Sequence, residues 1–262
     1  MDQSTSVSRV DNRLGPGAFL SGIAVIAGRE LGAYFDSAIA YVYTAAFVVL
    51  ANSIFMNEFF LTGTVNMTGF FDLLPLLLCF FLPAITMRLW AEERRQRTIE
   101  LLLTLPITPL QAVLAKYLAA LGLFALFLVG SLPIVVMLTV LGEPDLGLIA
   151  SGYVGLVCFG GLFLAFGMLL SALSADQIVA FVLSTLAGFG FVLSGNVRVI
   201  EVLDGLAPSL AVGTLLYESI SVMPHYDAFV RGVVELSSVG YFALLVALFL
   251  WLTAQLLARH RS

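Results

Sequence analysis

Charge is scarce in this chain. Only 11% of its 262 residues are Asp, Glu, Lys or Arg, while 60% are hydrophobic, and the mean hydropathy is +1.04. A water-soluble domain carries about 25% charged residues, so an ordinary soluble fold is excluded and the bilayer is the solvent. Lysine is scarcer still: Lys116 is the only one, and it stands between Ala115 and Tyr117. A phosphate-cradling loop ending in Gly-Lys-Ser/Thr is therefore impossible, and the chain does not hydrolyse ATP through that motif. Cys79 and Cys158 both fall in apolar runs, so they read as small packing residues, with no disulfide framework. Two histidines, His225 and His260, are assigned to opposite sides of the membrane, too far apart for a joint metal or catalytic site. The net charge of −5 implies no nucleic-acid partner. The polar start, Met1 to Pro16, lacks an apolar stretch behind a basic one, so it reads as a mobile tail (1–17) and not as a cleavable signal peptide.

What is present is a series of long apolar runs. At about twenty residues per crossing, they predict an all-α integral membrane protein with six spans, at about 38–56, 70–88, 112–141, 148–171, 177–195 and 236–258. The third is the longest: from Pro109 to Leu141, at 1.5 Å per residue, it reaches about 50 Å. Its start, with Lys116, is thus expected to project beyond the ~30 Å hydrocarbon core. Pro133 is a candidate kink within it. Before the first span, over 18–36, Phe19, Leu20, Ile23, Ile26, Ala27, Leu31, Tyr34 and Phe35 recur at helical spacing. Gly22, Arg29, Gly32 and Asp36 fall opposite, the pattern of a helix lying in the interface. Residues 196–235 are too long for a turn and read as short interfacial or re-entrant helices.

Six spans sort the basic residues. Arg9, Arg13, Arg29, Arg88, Arg94, Arg95, Arg97, Lys116, Arg259 and Arg261 share one side, leaving Arg198 and Arg231 opposite. By the positive-inside rule both termini are cytoplasmic. The acids Glu58, Glu143, Asp145, Glu201, Asp204, Glu218, Asp227 and Glu235 go outside, so an acidic chain still obeys the rule. Asp72 and Asp176 are assigned to span ends. In the fourth span Gly147, Ser151 and Gly155 recur every four residues, a stripe that lets helices approach closely, within the chain or across a dimer seam.

The one large polar interruption is Arg88 to Lys116. Arg88, Glu92, Glu93, Arg94, Arg95, Arg97 and Glu100 crowd into thirteen residues, which must meet water or a partner. Glu92 and Glu93 precede Arg95, Gln96 and Arg97 at helical spacing. Ile99, Leu101, Leu102, Leu103 and Leu105 add an apolar surface until Pro106 stops it. Thr108 and Pro109 read as the cap and first residue of a new helix. A short amphipathic helix, a break and a long helix are expected.

The string TMRLWAEERRQRTIELLLTLPITPLQAVLAKYLAAL strongly resembles the signature of ABC-2 type transporter permeases, and within them the gliding-motility-associated permeases. The likeness continues in RELGAYFDSAIAYVY, GYVGLVCFGGLFLAFG, SADQIVAF and FVRGVVEL. Arg97 and Ala115 stand where that pattern has glycine. The resemblance implies a membrane-spanning subunit without catalytic residues, cofactor or metal of its own, in the inner (cytoplasmic) membrane. ATP and Mg would be bound by a separate ATPase subunit. The helix over 18–36 becomes an elbow helix beside that ATPase, with Arg29 and Glu30 on it. The helix between spans two and three becomes the coupling helix, with Glu92, Glu93, Arg94, Arg95, Ile99, Glu100 and Leu102 as its coupling residues. A full transporter needs two permease halves, so a homodimer or a heterodimer with a related subunit is implied, along with a companion membrane protein. The rival from another class is an ion-gradient-driven secondary transporter or channel. It would want ionisable residues at mid-bilayer and internal repeats, and neither is found. The substrate is not legible.

Overall fold

The computed structural model describes residues 16–96, 108–206, 211–219 and 221–259. Among them are eleven helices and no strand: α1 Pro16–Phe35, α2 Ala38–Thr62, α3 Thr68–Thr86, α4 Arg88–Arg95, α5 Pro109–Leu141, α6 Leu146–Leu173, α7 Gln177–Leu193, α8 Val197–Leu206, α9 Val212–Ser219, α10 Met223–Val230 and α11 Leu236–Arg259. This is an all-helical membrane fold. α2, α3 with α4, α5, α6 and α11 are each long and apolar enough to cross a bilayer. The fifth span, expected at 177–195, is α7, and the short helices expected over 196–235 begin directly after it. α7 has 17 residues, about 26 Å at 1.5 Å per residue, just short of the hydrocarbon core. It turns through 86° into α8, so a sixth span exists only as this bent pair. The turn falls at Ser194, Gly195 and Asn196, and Asn196 Oδ1 accepts the Arg198 N–H at 3.0 Å.

α6 is the axis of the bundle, packed by α3, α4, α5, α7, α10 and α11. Its glycines make this possible by removing side chains where neighbours press closest. A Cβ on Gly152 would lie 2.5 Å from the Phe71 ring, one on Gly155 2.6 Å from Phe229, and those on Gly160 and Gly167 would overlap Phe124 and Thr86. The predicted stripe divides. Ser151 and Gly155 face α10, with Ser151 Oγ donating to the Phe229 carbonyl at 2.8 Å. Gly147 is exposed in the first turn, where Asp145 Oδ1 caps the helix by accepting from Gly147 N and Leu148 N. α2 leans on α5 through Phe47, whose ring stacks on Phe127 at 4.7 Å. Its other side, including Val42 and Val49, is exposed as a lipid-facing surface should be.

α1 lies against α5. Of its apolar set, Ile23 is buried, whereas Leu20 is 64% exposed, so part of the predicted apolar face is left for lipid. α5 begins as its sequence predicts: Thr108 Oγ1 accepts the Gln111 N–H, and Gln111 Oε1 accepts the Thr108 N–H at 2.8 Å, a full capping box with Pro109 first in the helix. The helix runs unbroken through Pro133.

Candidate functional site, a charged junction at one end of the bundle

The helix α3 ends at Thr86, and after Met87 the chain resumes as α4, carrying the sequence RLWAEERR. Met87 offers no side-chain cap to α4. The missing acceptor comes from α6: Ser171 Oγ accepts from Trp90 N at 3.1 Å and Ala91 N at 3.2 Å and donates to the Met87 carbonyl at 3.0 Å. One buried hydroxyl thus satisfies two orphan donors and one carbonyl at the break, and fixes α4 to the central helix. Leu89, Trp90 and Ala91 are buried as a result.

α4 also meets Lys116. Its Nζ lies 2.8 Å from Glu93 Oε1 and 3.2 Å from Glu30 Oε2, and 5.0 Å from the centroid of the Trp90 ring. The lysine side chain is only 5% exposed. Lys116 is thus covered by other helices and does not stand in open water. An ammonium cannot be buried unpaired, and here two carboxylates and an aromatic face replace its water. The three contacts come from three elements: Glu30 from α1, Glu93 and Trp90 from α4, Lys116 from α5. Around them, Arg29 pairs with Glu30 at 3.1 Å and Arg88 with Glu92 at 3.2 Å, while Gln96 Nε2 donates to Glu92 Oε1. Burial, with Glu30 adding to it, pushes the Tyr34 phenol above its usual range, so its hydroxyl remains a donor toward the Ile85 carbonyl, 3.5 Å away.

The sequence-predicted residues are thereby partly brought together. Glu30 and Glu93 meet directly through Lys116, Arg29 joins through Glu30, and Glu92 turns to its own helix. Arg94 and Arg95 occupy the last turn of α4, where their charge also complements the helix dipole, and Arg95 is exposed. Ile99, Glu100 and Leu102, and with them most of the expected Glu92 to Leu105 helix, lie outside the described residues. Gly147, Ser151 and Gly155 belong elsewhere, in the packing of α6. Three participants, Lys116, Trp90 and Ser171, are absent from the sequence-based site. Lys116 is placed there only at the projecting start of a span, although a lone lysine two turns inside an apolar helix signals a buried partner. Ser171 had the weaker signal of a hydroxyl in a small-residue helix.

Among the described residues no group of His, Cys, Asp or Glu could hold a metal ion. The junction fastens α4, which leads into residues 97–107, to α1, α5 and α6 at once.

Comparison with known proteins agrees with this architecture. No curated protein matches the chain. A family model described as ABC-2 family transporter protein matches residues 35–254, from the end of α1 through most of α11 and so through every spanning helix. A match over that much of the chain establishes the family and with it the role of a membrane component served by an ABC ATPase, so the chain belongs to the ABC-2 family of transporter proteins as a permease subunit.

Proposed function

We propose that this permease couples ATP hydrolysis, on a separate subunit that binds ATP and Mg, to export or to work on a surface assembly. The ATPase docks on α4 and the 97–107 segment that follows it, on the cytoplasmic side of the inner membrane, with both termini on that side. The observation that carries the mechanism is the Lys116 junction. When the ATPase dimer closes, force on the docking segment passes through Glu93 to α5 and through Ser171 to α6, and biases the bundle between two arrangements. The likeness of RLWAEE and TIELLLTLPI to gliding-motility-associated permeases supports a place in that subfamily, with a companion membrane protein and a second permease half, identical or related. The test is co-purification with the ATPase encoded beside it, followed by hydrolysis assays with candidate lipids and solutes. A stable complex whose hydrolysis responds to a transported lipid or solute supports the reading. Transport by the purified chain alone, along a proton gradient, overturns it.

A further inference from the structure

Between α1, α2, α3, α4 and α5 lies a cavity of about 230 Å³ that the coupling mechanism does not use. Its lining combines the charged Glu30, Arg88 and Glu92 with apolar residues, Ala84 and Leu123 among them, that belong to helices long and apolar enough to cross a bilayer. The volume falls below the ~300–1,000 Å³ of drug-sized sites, so it takes a headgroup and the first carbons of its chains. The charges decide which headgroup. Of the charges that line it, Glu92 is paired with Arg88, and Glu30 is paired with Arg29 and Lys116 behind the wall, so a ligand of net charge would upset pairs already made. A zwitterion leaves them balanced. Arg88 gives Nε to Glu92, and its side chain is one-third exposed, so its outer N–H groups can take a phosphate while the Glu92 carboxylate takes an ammonium.

We propose that this cavity binds the headgroup of a zwitterionic phospholipid bearing a primary ammonium, of the phosphatidylethanolamine type. The three N–H groups of such an ammonium can donate to Glu92, which a trimethylated choline head cannot do. Glu30 lines the same cavity and holds Lys116, so an occupied site stiffens α1 against the coupling junction.

The experiment is native mass spectrometry of the purified full chain with added phosphatidylethanolamine, phosphatidylcholine or phosphatidylglycerol. The parent should retain phosphatidylethanolamine about tenfold more strongly than the other two, the equivalent of one charge-assisted hydrogen bond. Ala33→Trp, which fills the cavity from an exposed position on its wall, and Arg88→Gln should each abolish that preference. If Arg88→Gln does not fold, Ala33→Trp decides alone. Water-soluble phosphoethanolamine should not compete, because the apolar walls then go unused. Equal retention of all three lipids, a preference for phosphatidylglycerol, a detergent adduct only, competition by phosphoethanolamine, or a preference unchanged in Ala33→Trp would each overturn the proposal.

Discussion

Lys116 Nζ sits 2.8 Å from Glu93 Oε1, which makes the chain's only lysine the bond between α4 and the start of α5, the longest helix among the described residues. Lys116 holds a second carboxylate as well, that of Glu30 at 3.2 Å. Lys116→Gln takes the buried cation from both Glu93 and Glu30, leaving Glu30 the exposed Arg29, and should cost about 3 kcal/mol. Glu93→Gln leaves the Lys116–Glu30 pair intact and should cost about 1 kcal/mol. Unfolding of both variants in detergent reads the difference. Equal losses would mean that Glu30 contributes nothing to holding the lysine.

Packing around α6 gives a comparison within one helix. Gly155→Leu should destabilise the bundle by about 1–3 kcal/mol, since a side chain there enters the space of Phe229. Gly147→Leu, at an exposed position where an added Cβ meets only the Asp145 carboxylate at 3.1 Å, should leave the melting temperature within the spread of surface substitutions. A tolerated Gly155→Leu would remove the contact with α10 as a constraint on the fold.

Orientation follows from the ten-to-two division of basic residues. Reporters fused after Ser262 or within 90–105 should read cytoplasmic, and those within 58–68 or 200–225 external. Neutralising Arg198 and Arg231 should leave that pattern unchanged. An external C-terminus would break the six-span topology, bent pair included.

Much of the architecture was legible because its causes are local. Apolar run lengths report the spans, and Thr108 with Gln111 reports the start of α5, since a capping box is written within four residues. The break after α7 was legible too, since the apolar run ends at 195 and short helices follow; of that break only the 86° angle has no local signature. The charged junction had no local signature. Lys116 finds Glu30 86 positions away and Trp90 finds Ser171 81 positions away, so these contacts follow from helix packing and not from spacing along the chain.

Ser171 offers a test of that long-range anchoring. Ser171→Ala removes the acceptor of two buried backbone N–H groups and the donor to the Met87 carbonyl, and should cost about 1–3 kcal/mol. In a complex with the ATPase it should lower substrate-stimulated hydrolysis more than basal hydrolysis, because α4 then moves without pulling α6. Ser171→Thr keeps the hydroxyl and should recover most of the coupling. Coupling unaffected by Ser171→Ala would show that force bypasses α6.

The end of α4 decides between docking and topology as the purpose of its arginines. Arginine is drawn to every cytoplasmic loop, so Arg94 and Arg95 could serve orientation alone, and the two roles predict different phenotypes when both become glutamate. Arg29, Arg88, Arg259 and the other basic residues of that side still hold the orientation, so membrane insertion should survive. If the ATPase reads these charges at the rim of its contact, the reversed variant should bind it at least about tenfold more weakly, or hydrolyse ATP without responding to substrate. Gln96, exposed at the end of α4, supplies a geometric control: a cysteine there should cross-link to the ATPase, whereas one at lipid-facing Val49 should not. Normal binding and coupling by the reversed variant, with no cross-link from Gln96→Cys or from cysteines at 97–105, would move the docking element away from α4 and leave the Lys116 junction a purely structural clasp.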